Sequence, residues 1–399
     1  MKPLRILMLL ENNPFPQDTR VRHEAFALSR AGHTVSVICQ RGKAQPYFDC
    51  IEGVRVYRFP APAPANGLIG YVWEYGYSTI AFLLLSLWVF FRLGFDVIHA
   101  HNPPDTLVFI ALLYKCIGKR FVFDHHDLSP EMYYARFGGQ GSKTLYRILC
   151  LLEKLSCRVA DHVIATNQSY KQLEIERDGL SEDQITIVRN GPDLDREGDS
   201  PPVVDLALPG QILIGYAGVI GYHDGVDYLL RALLHLRNDF KRSDFCCIVM
   251  GEGDALADVK ALCTQLGLDQ QVRFVGWIPH AQLAGYINAV SICAAPEPLN
   301  DYNNRSTMIK ITEYMAAAKP IVAFDLFEHH VTAGDAALYA QANDTLDFAC
   351  QLNTLMDNAR LRAAMGRCGR ERIDKSLAWV HQAENLLSVY AQLSESRRN

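Results

Sequence analysis

Ser306, Lys310 and Glu313 follow one another at offsets of four and three. On a helix beginning near Ser306 that spacing puts all three on one face, while Met308, Ile311 and Met315 point elsewhere. The start of such a helix offers unpaired N–H groups and the positive end of its dipole to an anion. Lys310 adds a charge one turn in, and Glu313 can accept from two vicinal hydroxyls, so the face suits a diphosphate joined to a ribose. A capping serine followed by a surface Lys–Glu pair produces the same pattern, and spacing does not separate the two. Gly251-Glu252-Gly253 follows an apolar run, where missing side chains let a base or ribose approach the backbone; a tight turn explains it almost as well.

The first half of the chain carries its polar residues differently. His99 and His101 stand two apart at a strand end and share a face, which with Asp105 and Asp127 is also a metal-ligand arrangement. His126 follows the apolar run Phe121–Phe123 and could simply be satisfied by Asp124 or Asp127. The polar loop from Glu11 to Arg22 follows the first strand, with Asn12, Asn13, Asp18 and Arg20 as its reactive side chains, or with Asp18 or Thr19 capping the next helix.

These groups need elements to hold them. The 399 residues are 49% hydrophobic and 21% charged, which is the composition of a folded protein of two or three domains. A net charge of −5 without basic blocks argues against nucleic acid as a partner. Eleven dispersed cysteines without a CxxC indicate neither a disulfide framework nor a zinc ribbon. Short apolar runs (Leu4–Leu10, Val35–Cys39, Val54–Phe59, Val97–His99, Arg120–Phe123, Val163–Ala165, Ile185–Val188) alternate with helical patterns, as parallel βαβ units do. After a Pro- and Asp-rich tract the alternation restarts at Ile212–Tyr216, followed by a helix with the stripe Val226, Leu229, Leu230, Leu233 and Leu234. The expected fold is therefore α/β with two Rossmann-like domains facing across a cleft. The domains are expected at 1–195 and 210–376, with a linker at 196–209 and a terminal helix and tail at 377–399 that packs back on the first. The longest apolar segment, Ser78–Phe91, has 14 residues, short of a membrane span, and reads as a core helix in preference to an interfacial one. GxGxxG, GxxxxGK[ST] and GxSxG are all absent, which removes the common dinucleotide, P-loop and hydrolase readings.

The chain resembles the family-four retaining glycosyltransferases of GT-B fold, especially bacterial members that build O-antigen, capsule or exopolysaccharide. The resemblance rests on Asp18 and Arg20-Val21, Asp96 to Pro103, Asp124 to Glu131, Asn190-Gly191, Gly251 to Gly253, Val272 to Gly276 and Glu313-Tyr314-Met315-Ala316 in that order. It implies a nucleotide-sugar donor on the second domain, held by Glu313, Lys310, Arg305, Ser306, Thr307, Gly218, Gly251 and Gly253. It implies an acceptor on the first, near Asn12, Asn13, Asp18, Arg20 and His101, with His126 at the reaction centre.

The family is metal-independent, so no metal and no cofactor beyond the nucleotide-sugar co-substrate are expected. Two positions depart from its pattern. Arg305 stands where the first of two glutamates belongs, and Val219 and Asp224 stand where phosphate-binding cations belong, which leaves Arg305 and Lys310 as replacements. The expected activity is transfer of a hexose to a glycan or lipid-linked acceptor in cell-surface polysaccharide synthesis, in the cytoplasm or peripherally at the inner face of the membrane. A catalytically inactive scaffold of the same shape and a nucleotide-sugar epimerase are the alternatives.

Overall fold

A computed structural model describes residues 3–62, 67–137, 139–194, 201–203, 206 and 210–395. The chain forms two compact units, one of residues 1–134, 140–190 and 380–399, the other of 135–139 and 191–379. The break falls at Asn190–Gly191 where 195 was expected, and most of the anticipated linker lies outside the described residues.

The first unit holds the strands β1 (Arg5–Leu10), β2 (Thr34–Arg41), β3 (Phe48–Ile51), β4 (Val54–Pro60), β5 (Val97–His101), β6 (Arg120–His125), β7 (His162–Ala165) and β8 (Ile185–Ile187). They form one sheet in the order β3-β4-β2-β1-β5-β6-β7-β8, parallel except for the β3–β4 edge pair. Its helices are α1 (Thr19–Arg30), α2 (Gly67–Arg92), α3 (Val108–Lys115), α4 (Ser129–Arg136), α5 (Lys143–Val159) and α6 (Gln168–Leu173). Strands covered on both faces need apolar residues at successive positions, which is why RILMLL reads as an unbroken run. Asp18 starts α1 by accepting the Val21 N–H at 2.9 Å, and the stripe Val21, Ala25 and Leu28 turns fully inward.

The second unit holds β9 (Ile212–Ala217), β10 (Phe245–Met250), β11 (Val272–Gly276), β12 (Ile292–Ala295), β13 (Ile321–Phe324) and β14 (Ala337–Ala340), all parallel, in the order β11-β10-β9-β12-β13-β14. Its helices are α7 (Val226–Asn238), α8 (Leu256–Gln265), α9 (His280–Ala289), α10 (Asp301–Arg305), α11 (Ile309–Ala316), α12 (Phe327–Ala333), α13 (Thr345–Asp357) and α14 (Ala359–Arg372). Val226, Leu229, Leu230 and Leu233 of α7 are fully buried, each contributing roughly 1.5–3 kcal/mol over an exposed side chain; Leu234 sits only partly under the core. The last helix, α15 (Trp379–Glu395), belongs to the first unit from Val380 onward, as the sequence led us to expect. It buries Leu386, Val389 and Tyr390 there, and the Tyr390 hydroxyl lies 2.8 Å from His99 Nδ1.

Two expectations need correction. The apolar helix is 26 residues long, and its stretch Trp73–Arg92 is by length and composition sufficient to cross a membrane. It is also not a core helix: Phe82 and Val89 face the sheet, whereas Ile80, Leu84 and Phe91 face outward. The helix expected from Ser306 starts later and is preceded by a separate short one at 301–305, where the Asn303 amide donates to the carbonyls of His223 and Pro298. Ser306 and Met308 are extended, so α11 starts only at Ile309.

Candidate functional site

In the second sheet the chain runs outward from β9 to β10 and β11, then returns to β12 on the other side of β9. Ligands of open α/β sheets bind outside the carboxyl ends of strands flanking such a reversal. Here those ends carry the loop Gly218–Asp224 after β9 and Pro296-Glu297-Pro298 after β12.

Lys310 reaches this point from the first turn of α11. Its ammonium donates to the Tyr216 hydroxyl at 3.0 Å, lies 4.4 Å from that ring's centroid, pairs with Glu297 and stands 3.5 Å from Asp224. The Tyr216 hydroxyl donates onward to the Val219 carbonyl at 2.5 Å, while Asp224 accepts the Gly221 N–H at 3.0 Å. Lys310 thus holds the loop's shape from below. Burial opposes its charge, but Glu297, Tyr216 and Asp224 keep its pKa well above the usual lysine value. One buried ammonium against two carboxylates is spent, so Lys310 does not stand free as a replacement phosphate cation. Arg305 stands half-buried at the end of α10.

Gly251 and Gly253 also have a different purpose from the one expected. The Gly218 N–H donates to the Met250 carbonyl at 3.0 Å and the Ile220 N–H to the Glu252 carbonyl at 2.9 Å, laying one loop on the other. A Cβ at Gly251 would stand 1.8 Å from the Gly218 oxygen, and one at Gly253 would stand 2.4 Å from the Ile220 oxygen. The glycines admit a neighbouring backbone, which accounts for them without a ligand. Ser306 and Thr307 turn to protein partners too, donating to the Tyr302 carbonyl at 2.8 Å and to Glu328 at 3.3 Å. Glu313, half-buried, stands three residues after Lys310 on the same face of α11.

In the first unit the centre is Asp124, at the end of β6 and fully buried. It accepts from Arg20 through Nη2 at 2.6 Å and Nε at 2.7 Å, lies 2.7 Å from His101 Nδ1 and 3.4 Å from His126 Nδ1. Burial alone would raise the Asp124 pKa, but Arg20 and His126 hold it well below the usual carboxylate range. In turn, although burial opposes protonation of His126, Asp124 raises its pKa. The Asn102 amide oxygen accepts the backbone N–H groups of His126 and Asp127 at 2.9 and 3.1 Å, fixing the turn that presents the ring.

Arg20 and His101 were expected to meet an acceptor and do not. The remaining guanidinium nitrogen of Arg20 donates to the Val188 carbonyl at 2.9 Å and Asn190 Oδ1 at 2.8 Å, and His101 is buried beneath His126. Asp18 is the cap of α1, as its alternative reading had it; Asn13 donates to it at 3.2 Å, and Asn12 and Asn13 are exposed.

The neighbours of His99 and His101 are Glu24 and Asp124, not Asp105 and Asp127. These four offer ligand atoms within 4.8 Å of one another. Arg20 already lies in that pocket, bonded to Asp124 and 3.4 Å from Glu24, so a cation would face a guanidinium; the donor set suits a divalent ion poorly. Burial, then Asp124, raises the Glu24 pKa well above the usual range. Glu24 and Glu297 were not anticipated. Glu24's signal was its place four residues after Arg20, and Glu297's was a carboxylate between two prolines after a strand.

Comparison with known proteins follows these units. Residues 17–196 match the family Glycosyltransferase Family 4, and residues 211–358 match Glycosyl transferases group 1. The chain is 27% identical over 318 residues to D-inositol 3-phosphate glycosyltransferase 1 of Catenulispora acidiphila, across 76% of this chain and 74% of that one. Its fold is similar to that of sucrose-phosphate synthase from Thermosynechococcus elongatus, with TM-score 0.80 and 19% identity over 98% of this chain and 100% of the other. It is also similar to Anabaena HepE in complex with UDP and glucose, with TM-score 0.71 and 19% identity over 97% and 99%.

Proposed function

We propose that this chain, a group 1 glycosyltransferase of GT-B fold, moves a hexose from a nucleotide-sugar donor to a glycan or lipid-linked acceptor, with retention at the anomeric carbon and without a metal. Assembly of a cell-surface polysaccharide at the cytoplasmic side of the membrane is the role it fits best. The observation that carries the donor assignment is the place of Glu313. It lies on the face of α11 whose other member, Lys310, reaches the carboxyl end of β9 at the reversal of strand order. A carboxylate there can take both ribose hydroxyls, while Arg305 meets the diphosphate.

Calorimetry against UDP- and GDP-sugars tests this reading, with Glu313→Ala expected to weaken binding of the bound donor by about 1.5–3 kcal/mol, the loss of charged hydrogen bonds. An unchanged dissociation constant removes Glu313 from the site, and failure to bind any nucleotide sugar points to a scaffold. The anomer of the product, read by NMR, checks retention, and turnover in EDTA checks metal independence.

A further inference from the structure

Three neighbouring helices of the first unit expose apolar stripes at helical spacing. On α2 these are Ile80, Leu84, Leu87 and Phe91; on α3 and its end they are Phe109, Leu113 and Ile117; on α5 they are Ile148 and Leu151. α2 meets α3 through the Tyr114 hydroxyl, which donates to Ser86 Oγ at 3.0 Å, and α3 packs on α5, so the stripes lie on one layer. Leu84 is 61% and Phe91 80% exposed, unlike scattered surface leucines, and the stripes repeat across three elements. A groove of about 820 Å³ opens on the same layer, lined by Tyr47, Phe59 and Tyr77 together with Trp73, Ile80 and Leu84 of α2.

The fully exposed charges on this layer are basic, with one half-buried carboxylate, Glu74 on α2, beside the groove. The exposed charged residues described on α2, α3 and α5 are Arg92, Lys143, Arg147 and Arg158, in a chain whose net charge is −5. Basic groups also sit over aromatic rings near the groove and stripes: Arg41 is 4.4 Å from the Tyr47 centroid, Lys119 5.4 Å from Phe90 and Arg92 5.9 Å from Trp88. A second copy of the chain meeting this layer about a twofold axis would bring like charges together, whereas an anionic lipid surface neutralises them. Nor can α2 leave to span the bilayer without loss, because Phe82 and Val89 are in the core and Ser78 donates to buried Glu11 at 2.9 Å.

We propose that the α2–α3–α5 layer docks on an anionic phospholipid bilayer, its stripes lying at the headgroup–acyl boundary and the groove receiving one lipid chain. This deepens the reading of a lipid-linked acceptor and rests on it for its purpose. The full chain is to be sedimented with phosphatidylcholine vesicles with and without phosphatidylglycerol, at low and high salt, alongside its oligomeric state and donor affinity. Binding is expected only with phosphatidylglycerol and is weakened by salt. Leu84→Ser with Phe91→Ser, and separately Arg92→Glu with Arg147→Glu, are each expected to cut the partition coefficient roughly tenfold or more while melting temperature and donor affinity stay unchanged. Absence of binding to the anionic vesicles, or binding indifferent to both double variants, overturns the proposal. So does a wild-type dimer that the Leu84→Ser, Phe91→Ser variant dissociates, which would make the layer a contact between copies. Vesicle binding by a chain that binds no nucleotide sugar upholds docking and refutes the donor reading; nucleotide binding without vesicle binding does the reverse.

Discussion

His126 Nδ1 lies 3.4 Å from Asp124 Oδ2, on a carboxylate that already takes two nitrogens of Arg20. The histidine is the least buried of the described partners of that carboxylate, its side chain 15% exposed against 5% for Arg20 and 0% for His101.

His126→Ala is therefore expected to lower kcat by on the order of a hundredfold while leaving the donor dissociation constant within about a factor of three. The proposed donor contacts belong to the second unit and His126 to the first. Kinetics and melting temperature measured on one variant decide the matter. A destabilised protein with unchanged kcat per folded molecule would reduce His126 to a partner of Asp124.

Asp124→Asn should damage folding more than any change at His126. The substitution leaves the Arg20 guanidinium buried with Glu24, which is 3.4 Å away and whose own pKa is raised, as its nearest acid. A loss of about 3–5 kcal/mol is expected, the usual cost of stranding one member of a buried pair. Urea unfolding reads it, and a loss below 1 kcal/mol would show that Asp124 is not what retains Arg20.

Arg305→Ala should weaken a nucleoside diphosphate far more than the matching nucleoside, because only the former presents the phosphates. Equal losses, measured by calorimetry, would mean that Arg305 supports the loop and not the ligand. Lys310→Ala is expected to lower the melting temperature, because it takes the ammonium away from buried Glu297, from Asp224 and from the Tyr216 hydroxyl oxygen.

Asp178 gives a pH test. Burial, then the charge of Glu153, push its pKa from the ordinary 3.8 up to about 6. The folded state thus keeps a proton that the unfolded chain has lost between those values, and this group's cost to stability grows as pH rises through that window. Asp178→Asn removes the cost, on the order of 2–3 kcal/mol at pH 8, and changes little near pH 4. Denaturant unfolding at both pH values checks this; an equal difference at each would exclude ionisation as its source.

How much the sequence revealed follows a physical division. Unbroken apolar runs such as Ile212–Tyr216 disclosed the inner strands, because a strand covered on both faces permits little else. The edge strands β3 and β14 escaped notice, being four residues each and partly exposed. The placing of Lys310 and Glu313 on one face was legible, because both side chains belong to one helix. The partners were not, because Asp124 gathers Arg20, His101 and His126 across three elements, and Glu297 meets Lys310 only where β12 lies beside β9. Offsets along the chain also overstated the glycines, since Gly251 answers to Gly218, a residue in another loop.

The position of Tyr390 against His99 bears on how the protein is made. Residues 191–379 are inserted between two portions of the first unit, so that unit cannot be finished during synthesis until residues 380–395 emerge. Until then the surfaces that receive Leu386, Val389 and Tyr390 stay open and His99 Nδ1 lacks its hydroxyl partner. The second unit has no such debt to the distant end of the chain. A chain truncated near residue 379 and released from the ribosome should contain a protease-resistant second half and a sensitive first half, reversing the usual order in which what is translated first is completed first.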